Sequence, residues 1–323
     1  MSLGSFQRLE ALRSTLIRTL ADDTIIRMIP APAQTIRIGH SPDPDDAFMF
    51  YAMTQGRIPL MGFRVEHCLE DIESLNQRAQ RAELEVTAIS LHAYAYCHRQ
   101  YRLLTSGMSM GDGYGPLVVA ARPMELADLR RQTAATARGG GATTPVGSVA
   151  IPGQLTTAAL VLKLWAGDVP TTVLPFDQIL DAVRQGRVAA GILIHEGQLT
   201  FGGHGLTKLV DLGQWWKATT GLALPLGVNG VKRDLPDAQQ RAISRLMQES
   251  IGYALSHRHE ALAYAQLFGR GLDAARTDQF VGMYVNHWTE DCKPEGRRAM
   301  TLLLESAARI GAIPEACVPE FVE

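Results

Sequence analysis

The feature that most limits the folds open to this chain is an alternation. From Thr35 to Ile194, short runs rich in Ile, Val and Leu take turns with longer segments of helical spacing. Thr35–Gly39, Phe63–Cys68, Val86–Ile89, Leu117–Ala121, Val149–Ile151, Thr172–Leu174 and Val188–Ile194 read as strands. Between them, Ala47–Met53, Asp71–Arg81, the run opened by Ser90, Met124–Arg131, the run from Thr156 through Trp165, and the run capped by Asp177 through Arg184 read as helices. Strand and helix taking turns in two series imply an α/β fold with mainly parallel sheets. Leu206–Leu212 and Leu222–Val231 add extended segments. From Pro236 onward the pattern is mostly helical (Ala238–Ser256, His259–Phe268, Ala275–Asn286, Glu295–Ile310), as expected of a tail that folds back onto the first lobe.

Within this frame Gly191–Gly197, Gly-Ile-Leu-Ile-His-Glu-Gly, stands out. Its apolar residues end a buried strand, and His195 and Glu196 follow where the chain leaves the sheet. Ligands of open α/β sheets bind outside the carboxyl ends of the strands. An imidazole delivered there is well suited to moving protons near neutral pH. The alternative is a solvent-facing His-Glu pair at a turn.

Three further segments carry polar groups at strand ends. His40-Ser41-Pro42-Asp43-Pro44-Asp45-Asp46 puts three acids in one short loop, more than a single helix cap needs, although any of them can cap the helix that follows. Ser90 is an N-cap, a ligand hydroxyl, or both. Pro152-Gly153-Gln154-Leu155-Thr156-Thr157 opens a helix, where two hydroxyls and free N–H groups either cap the helix or hold an anion such as a carboxylate. Met110-Gly111-Asp112-Gly113-Tyr114-Gly115-Pro116 lacks dinucleotide-binding spacing and no helix follows it; it reads as a bend bringing backbone close to a ligand. Gln132–Pro145, rich in Ala, Thr and Gly, reads as a mobile surface loop.

The bulk properties close off other classes. A chain of 323 residues is about right for two lobes, and a net charge of −2 argues against nucleic-acid binding. The four cysteines form no C-x-x-C pair, which gives no zinc or redox motif and fits buried thiols of a reducing compartment. No apolar run is long enough to span a membrane. Charges scattered over residues 6–28 rule out a secretory signal, and Leu9, Leu12, Leu16 and Leu20 suggest an amphipathic helix or a frayed extension there. A cytoplasmic protein is expected.

These segments together resemble a known family, the 1,4-dihydroxy-6-naphthoate synthases of the futalosine route to menaquinone, two-lobed enzymes of periplasmic-binding-protein-like (type II) fold. Ser41, Pro42, Pro44, Asp46 and Phe48 match the family's Ser-Pro-Cys-Pro-Asn-Asp-Thr-Phe, while Asp43, Asp45 and Ala47 replace Cys, Asn and Thr. Asp71-Ile72-Glu73-Ser74-Leu75-Asn76, Ser90 with His92, Gly111 to Pro116, and Pro152-Gly153 with Leu155-Thr156-Thr157-Ala158 are similar to further family segments. So are Ile194-His195-Glu196-Gly197, Asp211-Leu212-Gly213 with Trp216, Leu224-Pro225-Leu226-Gly227, and Tyr284-Val285-Asn286. The likeness runs from about Thr35 to about Val318.

The resemblance implies an N-terminal extension (1–34), a first lobe of 35–121 with 225–323, a second of 122–224, and hinge closure on a ligand. It implies a lyase that cleaves cyclic dehypoxanthinyl futalosine with no cofactor or metal, acting on a polyhydroxylated aromatic carboxylate. His195 would be the general base, with Glu196 either its partner or turned away onto an Arg. Thr156 and Thr157 would hold the carboxylate. Asp43, Asp45 and Asp46 would meet the hydroxyl-rich end, Asp46 also with a structural part. Ser41, Ser90, His92, Gly113 and Tyr114 would line the rest, with Tyr114 stacking on a flat ring. Competing readings are a non-catalytic solute-binding protein, whose usual export signal and anchoring cysteine are not seen before Cys68, the sister enzyme chorismate dehydratase, and a ligand-sensing regulator.

Overall fold

The computed structural model describes residues 34–131 and 147–323. The helix expected within 6–28 and the loop expected over 132–145 lie outside the described residues. The chain starts with β1 (Gln34–His40), α1 (Pro44–Thr54), β2 (Phe63–Leu69), α2 (Ile72–Gln80), β3 (Val86–Ser90) and α3 (Leu91–Cys97). Two short strands follow, β4 (Tyr101–Leu103) and β5 (Ser109–Gly111), which the sequence pattern had not disclosed. Next come β6 (Leu117–Ala120), β7 (Val149–Ile151), α4 (Thr157–Ala166), β8 (Thr171–Val173), α5 (Phe176–Arg184) and β9 (Ala190–Leu193). A short α6 (Gly197–Thr200) and a 3₁₀ turn lead to β10 (Thr207–Asp211), α7 (Leu212–Thr220) and β11 (Leu224–Lys232). The remainder is helical: α8 (Asp237–Ser256), α9 (Arg258–Ala265), α10 (Ala274–Tyr284), α11 (His287–Glu290) and α12 (Lys293–Arg309).

The strands form two sheets. One runs β2-β1-β3-β11-β4, with β5 also on β11; the other runs β10-β6-β9-β7-β8. Both are mixed rather than mainly parallel. β1 pairs in parallel with β2 and β3, but β11 is antiparallel to β3, β4 and β5. In the second sheet β7 is parallel to β8 and β9, while β6 is antiparallel to β9 and β10. The cause is connectivity: β6 and β11 enter their sheets from the other lobe, rather than by the crossover within one sheet that makes neighbours parallel. β6 pairs only within the second sheet, so the first crossing falls before Leu117 rather than near Ala121.

Local chemistry explains the helix starts. Asp71 caps α2 by accepting from the Glu73 and Ser74 amides at 3.0 and 3.1 Å, and Thr156 caps α4 by accepting from Ala159 N at 3.2 Å. Asp177 lies in the first turn of α5 and Pro175 occupies the cap position, so Asp177 is not the cap. The glycines of the 110–116 bend serve the chain itself: a Cβ on Gly111 would sit 2.1 Å from Tyr114 O, and one on Gly213 only 1.9 Å from the same atom. The close backbone expected there meets α7, not a ligand.

Helix α8 packs its Ile243, Leu246, Met247 and Ile251 face on Phe48, Met49 and Phe50 of α1, so part of the helical tail does fold back onto the first sheet. Helix α12 instead joins a core that includes residues of both sheets, with Met300, Leu303 and Leu304 in one apolar cluster with Ile89, Val118 and Leu160. Each such fully buried side chain contributes about 1.5–3 kcal/mol relative to exposure. No described helix is long and apolar enough to cross a membrane.

Candidate active site

A cavity opens where the two sheets face each other. Its polar lining comes from Ser41, Asp43, Asp45 and Asp46 after β1, Ser90 at the end of β3, Ser109 on β5, Thr156 and Thr157 at the start of α4, His195 and Gln198 beyond β9, Asn229 on β11 and Tyr284 on α10. Ile72, Ala88, Pro116, Ile194, Leu226 and Phe280 form apolar walls. Polar groups converging on a partly apolar cleft are the usual make-up of a small-molecule site.

His195 stands two residues past the end of β9, with φ at 53°. That left-handed conformation costs a non-glycine residue on the order of 1 kcal/mol and persists only where its surroundings enforce it. Its side chain is 17 % exposed and its Nδ1 lies 3.2 Å from Asp43 Oδ2. The Phe176 ring packs edge-on against the imidazole at 4.9 Å. Glu196 does not line the cavity; it pairs with Arg270 Nη1 at 3.3 Å, the outward alternative for this residue.

The acid loop is organised differently from a cap. Asp43 occupies the N-cap position of α1 yet makes no capping hydrogen bond. Its Oδ1 instead forms an ion pair with Arg270 Nη2 at 2.8 Å, off line for a hydrogen bond. Asp46 Oδ2 accepts from Ser41 N at 2.6 Å and so holds the loop shut. Burial pushes the Asp45 carboxyl up to about 6, with the Asp43 charge adding and His195 opposing. Burial, then Asp45 and Asp43, also raise Asp46 well above the usual carboxylate range. Neighbouring His40 gives these acids no counter-charge: burial, then His67, pull it down to about 3, and its ring stacks on Phe50 at 4.2 Å.

On the second lobe both threonine hydroxyls are committed. Thr156 Oγ1 donates to Gly153 O at 2.9 Å, and Thr157 Oγ1 donates to Leu226 O at 2.7 Å. What remains for a ligand is the first turn of α4, where the amides of Thr157 and Ala158 precede the first intrahelical bond, from Leu160 N to Thr156 O. Two residues before Thr157, Leu155 N donates to Glu73 Oε2 of the first lobe at 3.1 Å.

Several residues expected in the site do not reach the cavity. His92 is buried behind α4, its Nδ1 3.2 Å from Thr156 O. Gly113 does not line the cavity, and Tyr114 donates its hydroxyl to Met283 O and meets Tyr284 edge-on at 5.8 Å, bracing a lining residue instead of stacking on a ligand. Other residues were missed. Asn76 fixes Ser90 from both sides, donating to its Oγ at 3.0 Å and accepting from its N at 2.8 Å. Tyr284 donates to Gln198 Oε1 at 2.8 Å, and Asn229 donates to Gly107 O at 2.7 Å while its own Oδ1 is buried without a partner. A signal existed for Asn76 and Tyr284, since both lie in segments that carried the resemblance; nothing local marked Asn229 or Arg270.

Two mixed α/β sheets joined by crossing strands, with a polar cavity at their meeting edge, define a two-lobed periplasmic-binding-protein-like architecture. The Candida albicans CA3427 gene product, described as exhibiting the generic periplasmic binding protein structural fold, superimposes with a TM-score of 0.59 at 12% identity over 88% of this chain and 92% of its own. Within that class the chain belongs to the menaquinone biosynthesis family, whose model matches residues 36–309. A 1,4-dihydroxy-6-naphtoate synthase of Thermus thermophilus is 39% identical over 90% of this chain and the whole of its own length. Protein AF1704 of Archaeoglobus fulgidus, known by crystal structure, is 44% identical with a TM-score of 0.78, over 86% of this chain and 98% of its own.

Proposed function

We propose that this protein is a lyase that forms 1,4-dihydroxy-6-naphthoate from cyclic dehypoxanthinyl futalosine in the cleft between its lobes. The observation that carries this reading is His195: an imidazole held in a strained backbone conformation on a cavity otherwise lined by acids, hydroxyls and apolar walls. His195 takes a proton from a hydroxyl or from carbon next to the substrate's carbonyl. The electron pair left behind drives carbon–carbon or carbon–oxygen cleavage, which releases a three-carbon fragment and leaves the aromatic product. A base positioned in this way contributes roughly 10²–10⁴-fold.

The substrate's two ends suit the two sides of the cleft. Its carboxylate fits the first turn of α4, where unpaired amides and the helix dipole favour an anion. Its hydroxyls fit Asp45 and Asp46, whose carboxyl oxygens can accept hydrogen bonds from a diol, while Asp43 is engaged by His195 and Arg270. Closure of the lobes by hinge motion would then exclude water. Incubating the purified protein with cyclic dehypoxanthinyl futalosine should yield a naphthoate chromophore. His195→Ala should abolish turnover while leaving ligand affinity within about tenfold. Binding without turnover in the wild type would instead return the chain to a solute-binding role.

A further inference from the structure

The geometry points to Asp43 and Arg270 as a positioning pair for His195, with Arg270 clamping the two lobes across the cleft. This rests on the proposed role of His195 as base. Arg270 lies in the segment between α9 and α10, far from the acid loop in sequence. Its guanidinium nevertheless meets three groups from both lobes: Asp43 Oδ1 at 2.8 Å, Pro42 O at 3.0 Å and Glu196 Oε1 at 3.3 Å. It also covers the face of Phe176 at 4.6 Å, and Phe176 is the ring that packs against His195. Like His195, Arg270 sits in the left-handed region, with φ at 41°. Two strained residues on opposite sides of the cleft thus converge on a single carboxylate, and strain of this kind clusters at functional sites.

The consequence for His195 is a choice of tautomer. An ionised carboxylate can only accept, so an imidazole nitrogen facing it carries the proton. Asp43 Oδ2 faces Nδ1, which assigns the proton to Nδ1 and leaves Nε2 as the basic nitrogen. The 3.2 Å separation tightens to a full hydrogen bond as the cleft closes on substrate, as catalytic contacts commonly do. Arg270 orients Asp43 and is balanced on its other side by Glu196, so the base is aimed only while the lobes are together. The charged and titratable groups around His195 are Asp43 and Asp45 from the acid loop and α1, Glu196 from its own turn and Arg270 from the helical tail; Tyr284 of α10 lines the same cavity.

Nitrogen-15 NMR of the histidine rings reads the tautomer directly, with no need for substrate or turnover. In the wild type above the His195 titration we expect the Nδ1–H form, and in Asp43→Asn a mixed or reversed population. An Nε2–H form in the wild type, or an unchanged spectrum in Asp43→Asn, would overturn the assignment even if the protein makes naphthoate. A wild type with the Nδ1–H form but no turnover would remove the proposed reaction and leave the pair standing. With substrate, Asp43→Asn should lower kcat roughly 10²-fold with KM little changed. The acid limb of its kcat/KM profile should move to lower pH by on the order of one unit, because the imidazolium loses its counter-charge. Arg270→Met should move that limb the opposite way, to higher pH, because Asp43 then acts on His195 alone. Arg270→Lys should restore the limb but only part of kcat, since one ammonium cannot fork between two carboxylates. Limbs that stay put, or that move in the same direction in Asp43→Asn and Arg270→Met, would refute the pair.

Discussion

Two loops of the same kind face each other across the cleft, and they spend their polar groups in opposite ways. Each runs from a buried strand into a helix N-terminus. The 152–156 loop is closed on itself: Thr156 caps α4, its hydroxyl also reaches Gly153 O, and a carboxylate from the other lobe, Glu73, sits on Leu155 N. The acid loop before α1 leaves its cap position unused as a cap, because Asp43 turns to His195 and Arg270, and it buries Asp46 with Asp45 half-buried beside it. One loop is built for stability, whereas the other gives up stability to place charge where a base needs it. The same local element can therefore be a fastening or a working part, according to which tertiary partner claims its side chains.

The largest stability effect that would sharpen this contrast is expected at Asp45. Its carboxyl is raised to about 6 by burial, so the folded state holds the proton more tightly than the unfolded chain. Its charged form therefore costs stability, the cost growing as pH rises from about 4 to 6 and being complete above that. Asp45→Asn should stabilise the protein by about 2 kcal/mol at pH 7.5 and not at all below pH 4, read as the difference in urea unfolding at the two values. A gain independent of pH would show that the acid loop carries no such cost. On the opposite side, Thr156→Ala removes a working cap and should cost about 1 kcal/mol at every pH. If thermal unfolding leaves that variant unchanged, the distinction between the loops fails. The smallest effect is expected for Glu73→Gln. Burial raises Glu73 too, so the neutral amide escapes a penalty that the carboxylate bears as pH rises, while its side-chain oxygen still accepts from Leu155 N. The net should be a stabilisation of under about 0.5 kcal/mol at neutral pH that vanishes in acid; a clear loss would mean that the charge itself fastens the lobes.

Much of the fold was legible because its signals are local. Period and composition mark β1, β3, α2 and α8 within a few residues. β4 and β5 escaped because Tyr-Arg-Leu and Ser-Met-Gly offer no β-branched run, unlike the equally short Val149–Ile151. The mixed character of both sheets escaped because strand direction depends on how the chain crosses between lobes, which no window of residues records. At the cavity, strand-end position together with residue type pointed to Ser90 and His195, and the family resemblance added Ser41. The resemblance misled at Tyr114 and His92, whose ring contacts are to Tyr284 and to Thr156 O on other elements. An arginine at 270 carries no pattern of its own; only folding brings it to residues 42, 43 and 196.

What the amino-acid order determined by itself is the class of the molecule: alternating apolar periods dictate strands and helices, and strand ends dictate where polar residues gather, because both are governed by neighbours along the chain. What only the tertiary structure decided is the work each polar group does. Asp43, Asp46 and Glu73 are the same kind of acid in similar local settings, yet one faces an imidazole and a guanidinium, one ties its own loop, and one sits on a loop of the other lobe. Partner, distance and burial set the charge and role of a carboxylate, and these exist only once distant segments have been packed together.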